Sequence, residues 1–370
     1  MRKLRIEYLQ LTNVRNIASC SLELSPGVNF IYGNNAQGKT NLVEAIHFLA
    51  TLDFHRGQSA DFIRHGQQSA RLTARIEVEG LHRNMDITIE KRRNAILVDG
   101  DRVRRVKNYL GQVLSVAFFP EDMLVLLMEP ALRRRWMDRL LSLYHIAYRD
   151  TISKAKKTLD SRNRLLREPQ PPRPALLSSI DATLAPLAAE IMVRRREIIS
   201  VLEEDVKKIF SDDFSGAGEP SLEYYPSFKN SILGDIKEIG TAYMEALNTG
   251  RDRDIASRTT LTGPHRDDFI MAINSQPVRA YASRGEVRTA LLSLNLAKLS
   301  VLKKKYGHDP IVILDDILSE LDKDRRHKVL KALPENSQIF ITSTEKDDSI
   351  VDITKDVAFW LVEDGEISTG

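Results

Sequence analysis

Eight consecutive residues, Gly33-Asn34-Asn35-Ala36-Gln37-Gly38-Lys39-Thr40, have the composition and spacing of a loop that wraps phosphate, G-x-x-x-x-G-K-[ST]. Gly33 and Gly38 let the backbone bend so that successive N–H groups turn inward toward phosphate oxygens. A helix beginning near Lys39 adds its positive dipole end. Lys39 can reach the β- and γ-phosphates, and the Thr40 hydroxyl suits Mg²⁺. The flanks agree: Val28–Tyr32 reads as a buried strand, and Asn41–Leu49 has apolar residues at helical spacing. The order strand, loop, helix implies binding of a nucleoside triphosphate.

A second constellation lies far downstream. Ile311-Val312-Ile313-Leu314 is an apolar run that ends in Asp315-Asp316, the pattern of a buried strand delivering carboxylates to its C-terminal end, known as Walker B. Asp315 suits Mg²⁺, and Asp316 suits the general base that orients and deprotonates an attacking water. Lys39 and Asp316 are thus the candidate catalytic pair. Ser319-Glu320-Leu321-Asp322 follows. Ser283-Arg284-Gly285-Glu286 opens a helix upstream. A Ser and a Gly there fit a plain helix cap, and equally fit a phosphate at a helix N-terminus.

These residues need elements to hold them. Leu4–Leu11, Cys20–Leu24, Arg71–Val78 and Asn84–Glu90 read as strands, and Asp99-Gly100 is a hairpin signal. After Pro120 the texture becomes helical. One helix is expected from Ala131 to about Glu168, stopped by Pro169–Pro174, and a second from Leu176 to Phe210 with Pro186 as a break or kink. Phe214–Pro220 reads as a loop. Two such helices form either a projecting antiparallel arm or a compact helical subdomain. From Gly263 the chain returns to α/β, with Phe269–Ile273, Ile311–Leu314, Ile339–Thr342 and Val357–Val362 as strands and Arg288–Lys305 as a helix. The expected fold class is α/β: a P-loop ATPase lobe split by a mostly helical second lobe. Its expected parts are 1–110, 111–289 (helical arm about 129–257) and 290–370.

Composition excludes several classes. Of the 370 residues 42% are hydrophobic and 28% charged, an ordinary globular balance. No run approaches the roughly 20 apolar residues of a membrane span, and the N-terminal residues lack the apolar core of a signal peptide. Cys20 is the single cysteine, so an internal disulfide and a cysteine-based metal cluster are excluded. The expectation is a cytoplasmic protein with no membrane partner.

The order P-loop, long insertion, Ser-x-Gly-Glu, Walker B, Ser-Glu-Leu-Asp resembles the ABC-type heads of SMC-like ATPases. The resemblance implies ATP and Mg²⁺ as ligands. It also implies a dimer on ATP, in which Ser283, Gly285 and Glu286 of one subunit complete the ATP site of the other. Four further stretches, Phe119–Asp122, Arg133–Asp138, Thr262–Asp268 and Asp315–Asp322, extend the likeness to a DNA-recombination branch of that family. What that branch implies is binding of duplex DNA at single-strand gaps and action with RecR and RecO to load RecA, with slow hydrolysis as the reset. An ATPase of that branch is weak and DNA-stimulated. Arg15 and Asn16 match a turn that contacts nucleotide in related heads, and equally fit a surface turn.

Some features depart from the wider pattern. The second Walker B acid is Asp316 rather than Glu, which shortens its reach and points to slow turnover. Thr342-Ser343-Thr344 stands where transporters carry a His, so the γ-phosphate sensor is open, and no Q-loop glutamine is evident. The competing reading, a transporter's nucleotide-binding subunit, calls for a Leu-Ser-Gly-Gly-Gln signature and that His; the chain has neither. Basic clusters at Arg102, Arg104, Arg105 and Lys107, and along the helix at Arg162 and Arg164, are the candidate DNA contacts. Arg133–Arg135 fit either DNA or packing.

Overall fold

The computed structural model describes residues 3–170, 172–213, 218–228, 234–320, 323–352 and 356–370. In chain order the first elements are β1 (Leu4–Val14), β2 (Ile17–Glu23), β3 (Val28–Tyr32), α1 (Lys39–Thr51), α2 (Ser59–Phe62), β4 (Ser69–Val78), β5 (Leu81–Glu90), β6 (Asn94–Val98), β7 (Asp101–Arg102) and β8 (Ser115–Phe118). Then come α3 (Met123–Leu127), α4 (Pro130–Tyr144), α5 (Tyr148–Leu166), α6 (Pro174–Asp213), β9 (Pro220–Tyr225), α7 (Ile236–Thr249), α8 (Arg251–Ser257), β10 (Asp268–Ile273), β11 (Gln276–Pro277) and α9 (Val278–Tyr281). The chain closes with α10 (Arg284–Tyr306), β12 (Ile311–Asp315), α11 (Lys323–Ala332), β13 (Ile339–Ser343), β14 (Val357–Glu363) and β15 (Glu366–Thr369).

Two compact units divide it: Met1–Asp122 with Leu292–Gly370, and Met123–Leu291. The first division falls beyond residue 110 because β8 is an edge strand of the first unit's sheet, paired in parallel with β12.

The first unit has two sheets. One, in the order β15-β14-β3-β13-β12-β8, is parallel except for β15. Its runs Ile311–Asp315 and Ser115–Phe118 are buried along their whole length, as strands covered on both faces must be. The other, β2-β1-β4-β5-β6-β7, is antiparallel, and β4 alternates buried and exposed residues over much of its length. Asp99 and Gly100 both take left-handed φ, 53° and 86°, the twist a two-residue hairpin needs. Helix α1 is buried on nearly every side, Lys39, Glu44 and His47 included. Leu42, Ile46 and Leu49 share one core with Leu9, Leu72 and Ile87 of the antiparallel sheet and Ile31, Ile313 and Phe340 of the parallel one.

The second unit packs helices with the three-stranded sheet β11-β10-β9. The helix expected over 131–168 is interrupted: α4 ends at Tyr144, His145 is extended (φ −124°, ψ 100°), and α5 starts at Tyr148. The bend returns Tyr148 onto α4, where its buried hydroxyl donates to Asp138 Oδ1 at 2.6 Å. Pro186 does not end α6, which runs unbroken for 40 residues, about 60 Å. Both α5 and α7 lie along α6, and β9 joins them. Strand β9, which begins at Pro220, takes up the end of the stretch read as a loop; of that loop, 214–217 lie outside the described residues.

One expectation about membrane spans needs correction. By length and composition α6 would pass for a bilayer-crossing helix, yet half of that stretch is buried inside the protein. It also carries Asp181 and Arg195, both buried in ion pairs, which suits the central helix of a packed lobe.

Candidate nucleotide-binding site

The phosphate loop sits where β3 hands over to α1. Gly33 has φ 145°, and a Cβ there would lie 2.3 Å from the Val362 carbonyl oxygen; Gly38 has φ 120°, and its Cβ would strike the Asn16 side chain at 2.8 Å. Only glycine fits either place. Asn16 is the loop's prop: its Nδ2 donates to the Gln37 carbonyl at 2.8 Å, and its Oδ1 accepts from Asn41 Nδ2 at 2.7 Å. Gly365 N–H, from the turn between β14 and β15, donates to the same Gln37 carbonyl at 2.9 Å. Asn34, Asn35 and Ala36 form the exposed crest of the loop.

The chemistry-bearing groups converge here. Lys39 Nζ donates to the carbonyls of Gly33 at 2.6 Å and Asn34 at 2.8 Å. Burial lowers its pKa, and the carboxylates of Asp316 and Asp315 oppose that shift. Thr40 Oγ1 donates to Asp315 Oδ1 at 3.1 Å. Strands β12 and β13 place Asp315 opposite Thr342, whose hydroxyl donates to the same Oδ1 at 2.6 Å and accepts from the Asp316 N–H at 2.9 Å. Burial raises the Asp315 pKa; the two threonine hydroxyls and Arg56 pull against it, and Glu121 adds to it. Asp316 takes a left-handed φ of 54°, which bends the chain at the strand end, and Ser319 Oγ donates to its Oδ1 at 2.7 Å.

Thr40 and Asp315 offer a hydroxyl and a carboxylate side by side. That sparse set fits Mg²⁺, which keeps several waters and takes one or two carboxylates beside substrate phosphates. Among the described residues no group of three or more His, Cys, Asp or Glu could cage a metal by itself.

Two contributors, Glu44 and Arg56, escaped the sequence reading; the sequence marks Thr342 only as occupying the open sensor position and Glu121 only as part of the Phe119–Asp122 stretch. Glu44, buried on α1, holds Arg15 at 2.9 Å and Arg56 at 2.8 Å; a lone acid inside an apolar helix was the available clue. Glu121 lies 3.6 Å from Arg56. Arg56 itself follows no motif. Arg15 is thereby committed to Glu44 and to the Arg56 carbonyl at 3.1 Å, which makes it a brace of the site.

Ser283, Gly285 and Glu286 lie in the second unit, at the start of α10. There Ser283 N–H donates to Glu286 Oε2 at 2.7 Å and Glu286 N–H to Ser283 Oγ at 3.3 Å, a reciprocal capping box. Leu321 and Asp322 lie outside the described residues. Among the basic candidates, Arg102, Arg104, Arg105 and Arg164 are exposed. Arg162 is not: it is fully buried and bound by Asp181 and Asp254, each at 2.7 Å, so it is withdrawn as a DNA contact. Arg133 is likewise spent on Asp268, at 2.6 and 2.8 Å.

A family model described as the RecF/RecN/SMC N terminal domain matches residues 5–363. The DNA replication and repair protein RecF of Geobacillus kaustophilus is 34% identical over 364 residues, 97% of this chain and 98% of its own. The chain belongs to the RecF family of SMC-like ABC ATPases. RecF of Bacillus subtilis is 31% identical over 366 residues, 98% of this chain and 99% of its own. A RecF–ATP structure, described as a recombination mediator protein in the RecFOR pathway, is similar with a TM-score of 0.90 at 28% identity, covering 100% of both chains. An Smc head domain derived from Pyrococcus furiosus, at 15% identity and a TM-score of 0.55 over 99% of this chain and 96% of its own, shares the fold alone. RecF membership sets the transporter reading aside.

Proposed function

We propose that the chain is an ATP-dependent, DNA-binding recombination mediator. It binds Mg²⁺-ATP, dimerises on it, and holds duplex DNA at single-strand gaps, where RecR and RecO assist in loading RecA. The observation that carries this reading is the convergence of Lys39, Thr40, Asp315, Asp316 and Thr342 around one phosphate loop. Thr40 and Asp315 would hold Mg²⁺, which would supply charge neutralisation for the phosphates. Lys39 exchanges the carbonyls of Gly33 and Asn34 for phosphate oxygens. Asp316 takes a proton from the attacking water. Ser319 and the Thr342 hydroxyl fix its side chain and backbone, so its aim is preset.

Ser283 serves twice in this reading. Its oxygen accepts the Glu286 N–H, and its hydroxyl, which otherwise bonds the Glu286 carboxylate, turns to a phosphate oxygen of the partner subunit's ATP. The cap and the trans signature are therefore compatible roles. The exposed cations Arg102, Arg104, Arg105 and Arg164 remain candidates for DNA phosphates.

The deciding experiment pairs turnover with the lifetime of the ATP-bound dimer on a gapped duplex, followed by sedimentation. Asp316→Asn keeps the size and removes the base, so turnover falls about 10²–10⁴-fold. ATP binding survives and the dimer on DNA lasts longer. Unchanged turnover removes Asp316 as base; a parent that neither dimerises with ATP nor sediments with the duplex removes the mediator reading.

A further inference from the structure

The turn from Thr262 to Asp268 is held by more buried polar contacts than any exposed loop needs. Asp267, fully buried, accepts from the Tyr224 hydroxyl and from Ser227 N–H at 2.7 Å, with Arg195 Nη1 at 3.9 Å. Gly263 N–H donates to Ser227 Oγ at 2.8 Å, and Ser227 Oγ donates back to the Gly263 carbonyl at 3.0 Å. Gly263 has φ 134°, and a Cβ there would lie 2.3 Å from the Tyr243 hydroxyl. Arg133 grips Asp268 with two bonds, and the Arg266 N–H closes the turn on the Gly263 carbonyl at 2.8 Å. Just upstream, the buried Arg162 fixes Thr260, whose carbonyl meets His265 Nε2 at 2.9 Å.

Buried ion pairs of this kind seldom raise stability over an apolar core of the same shape. They do fix position, and the question is what they position. Arg266 is exposed, and no carboxylate among the described residues pairs with it. Arg134 is half-buried and donates to the Asp267 carbonyl at 2.7 Å, one of its five donors. The neighbouring acids are spoken for: Asp138 by Arg195, Asp267 by Tyr224 and Ser227, Asp268 by Arg133. Around the turn Arg133, Arg134, Arg162, Arg195 and Arg266 stand beside Asp138, Asp181, Asp254, Asp267 and Asp268, and Arg266 is the exposed cation among them. Burial lowers the His265 pKa, the bond to the Thr260 carbonyl and the charge of Asp254 oppose that shift, and Arg266 and Arg134 add to it.

We propose that this turn is a phosphate-binding element, in which Arg266 and Arg134 together take a backbone phosphate of duplex DNA. The guanidinium fork suits a phosphate in a way a lysine point charge does not. The inference rests on the DNA-binding reading above and gives it an address in the second unit.

Affinity for a short labelled duplex is measured by anisotropy across a salt series, with ATP present. Arg266→Ala lowers affinity several-fold and flattens the plot of log K against log salt by about 0.9, the increment for one phosphate. Arg266→Lys restores most of the slope. Binding of a fluorescent ATP analogue and the melting temperature stay at parental values. An Arg266→Ala protein with the parental slope and affinity overturns the assignment while leaving DNA binding in place. A parent with no salt-dependent duplex binding removes the DNA reading itself, and this one with it.

Discussion

Thr342 donates its hydroxyl proton to Asp315 Oδ1 across 2.6 Å, at the point where β13 and β12 lie in register. Thr342 Oγ1 in turn accepts the Asp316 N–H at 2.9 Å. One hydroxyl therefore ties Asp315, the proposed metal ligand, to the backbone of Asp316, the proposed base. Thr342→Val keeps the shape and β-branching but loses both bonds, leaving the buried Asp315 with Thr40 as its remaining hydroxyl donor. Turnover should fall roughly tenfold or more, in line with about 1–3 kcal/mol for an unsatisfied buried group. Thr342→Ser should restore most of it. A valine variant with parental turnover and parental Mg²⁺ dependence would show the bridge to be idle.

Arg162 tests the correction made to the basic clusters. Its guanidinium lies inside the second unit with Asp181, Asp254 and Thr260. Arg162→Ala strands two buried carboxylates, a loss of about 3–5 kcal/mol. Thermal melting should drop by several degrees. Arg164→Ala, two residues along and exposed, should leave melting unchanged. Equal melting of the two variants would contradict the buried cage.

Much of this architecture was legible because chemistry with rigid demands leaves rigid spacing. The phosphate loop needs its glycines where a Cβ would strike Val362 or Asn16, so the motif survives intact in the sequence. The apolar runs of β12 and β13 are readable because parallel strands are buried on both faces. Arg162 misled because a charge run looks the same whether its members face water or two acids distant in sequence. Asp181 and Asp254 lie 19 and 92 residues away from it, and no local pattern links them. The break at His145 is similar: it answers to a tertiary bond from Tyr148 to Asp138, and neither Gly nor Pro marks it.

Ser283 separates capping from signalling across subunits. The capping box contributes about 1 kcal/mol of helix stability, so Ser283→Ala should cost a little melting temperature. Ser283→Arg should leave ATP binding by the monomer near the parental value and abolish dimerisation on ATP, measured by light scattering. If the arginine variant dimerises as the parent does, Ser283 is a cap and nothing more.

Asp315 carries a pH signature whose sign can be worked through. Burial raises its pKa in the folded chain above the ordinary value of 3.8. The folded state therefore holds that proton to higher pH than the unfolded state does. Its contribution to stability is best at low pH, and it declines as pH rises from the unfolded pKa through the raised folded one. At neutral pH the buried carboxylate is a standing cost in the absence of metal, and the proposed Mg²⁺ role accounts for it. Asp315→Asn removes that cost and keeps an oxygen for the Thr40 and Thr342 hydroxyls. In the absence of nucleotide the variant should melt at or above the parental temperature at pH 7, and the difference should shrink as pH falls through the raised pKa. With Mg²⁺-ATP the order should reverse, because ligand binding stabilises the parent by RT ln(1 + [L]/Kd) and the variant far less. Melting scans at two pH values, with and without Mg²⁺-ATP, read all four corners. A variant less stable than the parent in the ligand-free scan at pH 7 would mean that the two threonine bonds outweigh desolvation at Asp315. Loss of the ligand-induced shift alone would still assign it to the metal.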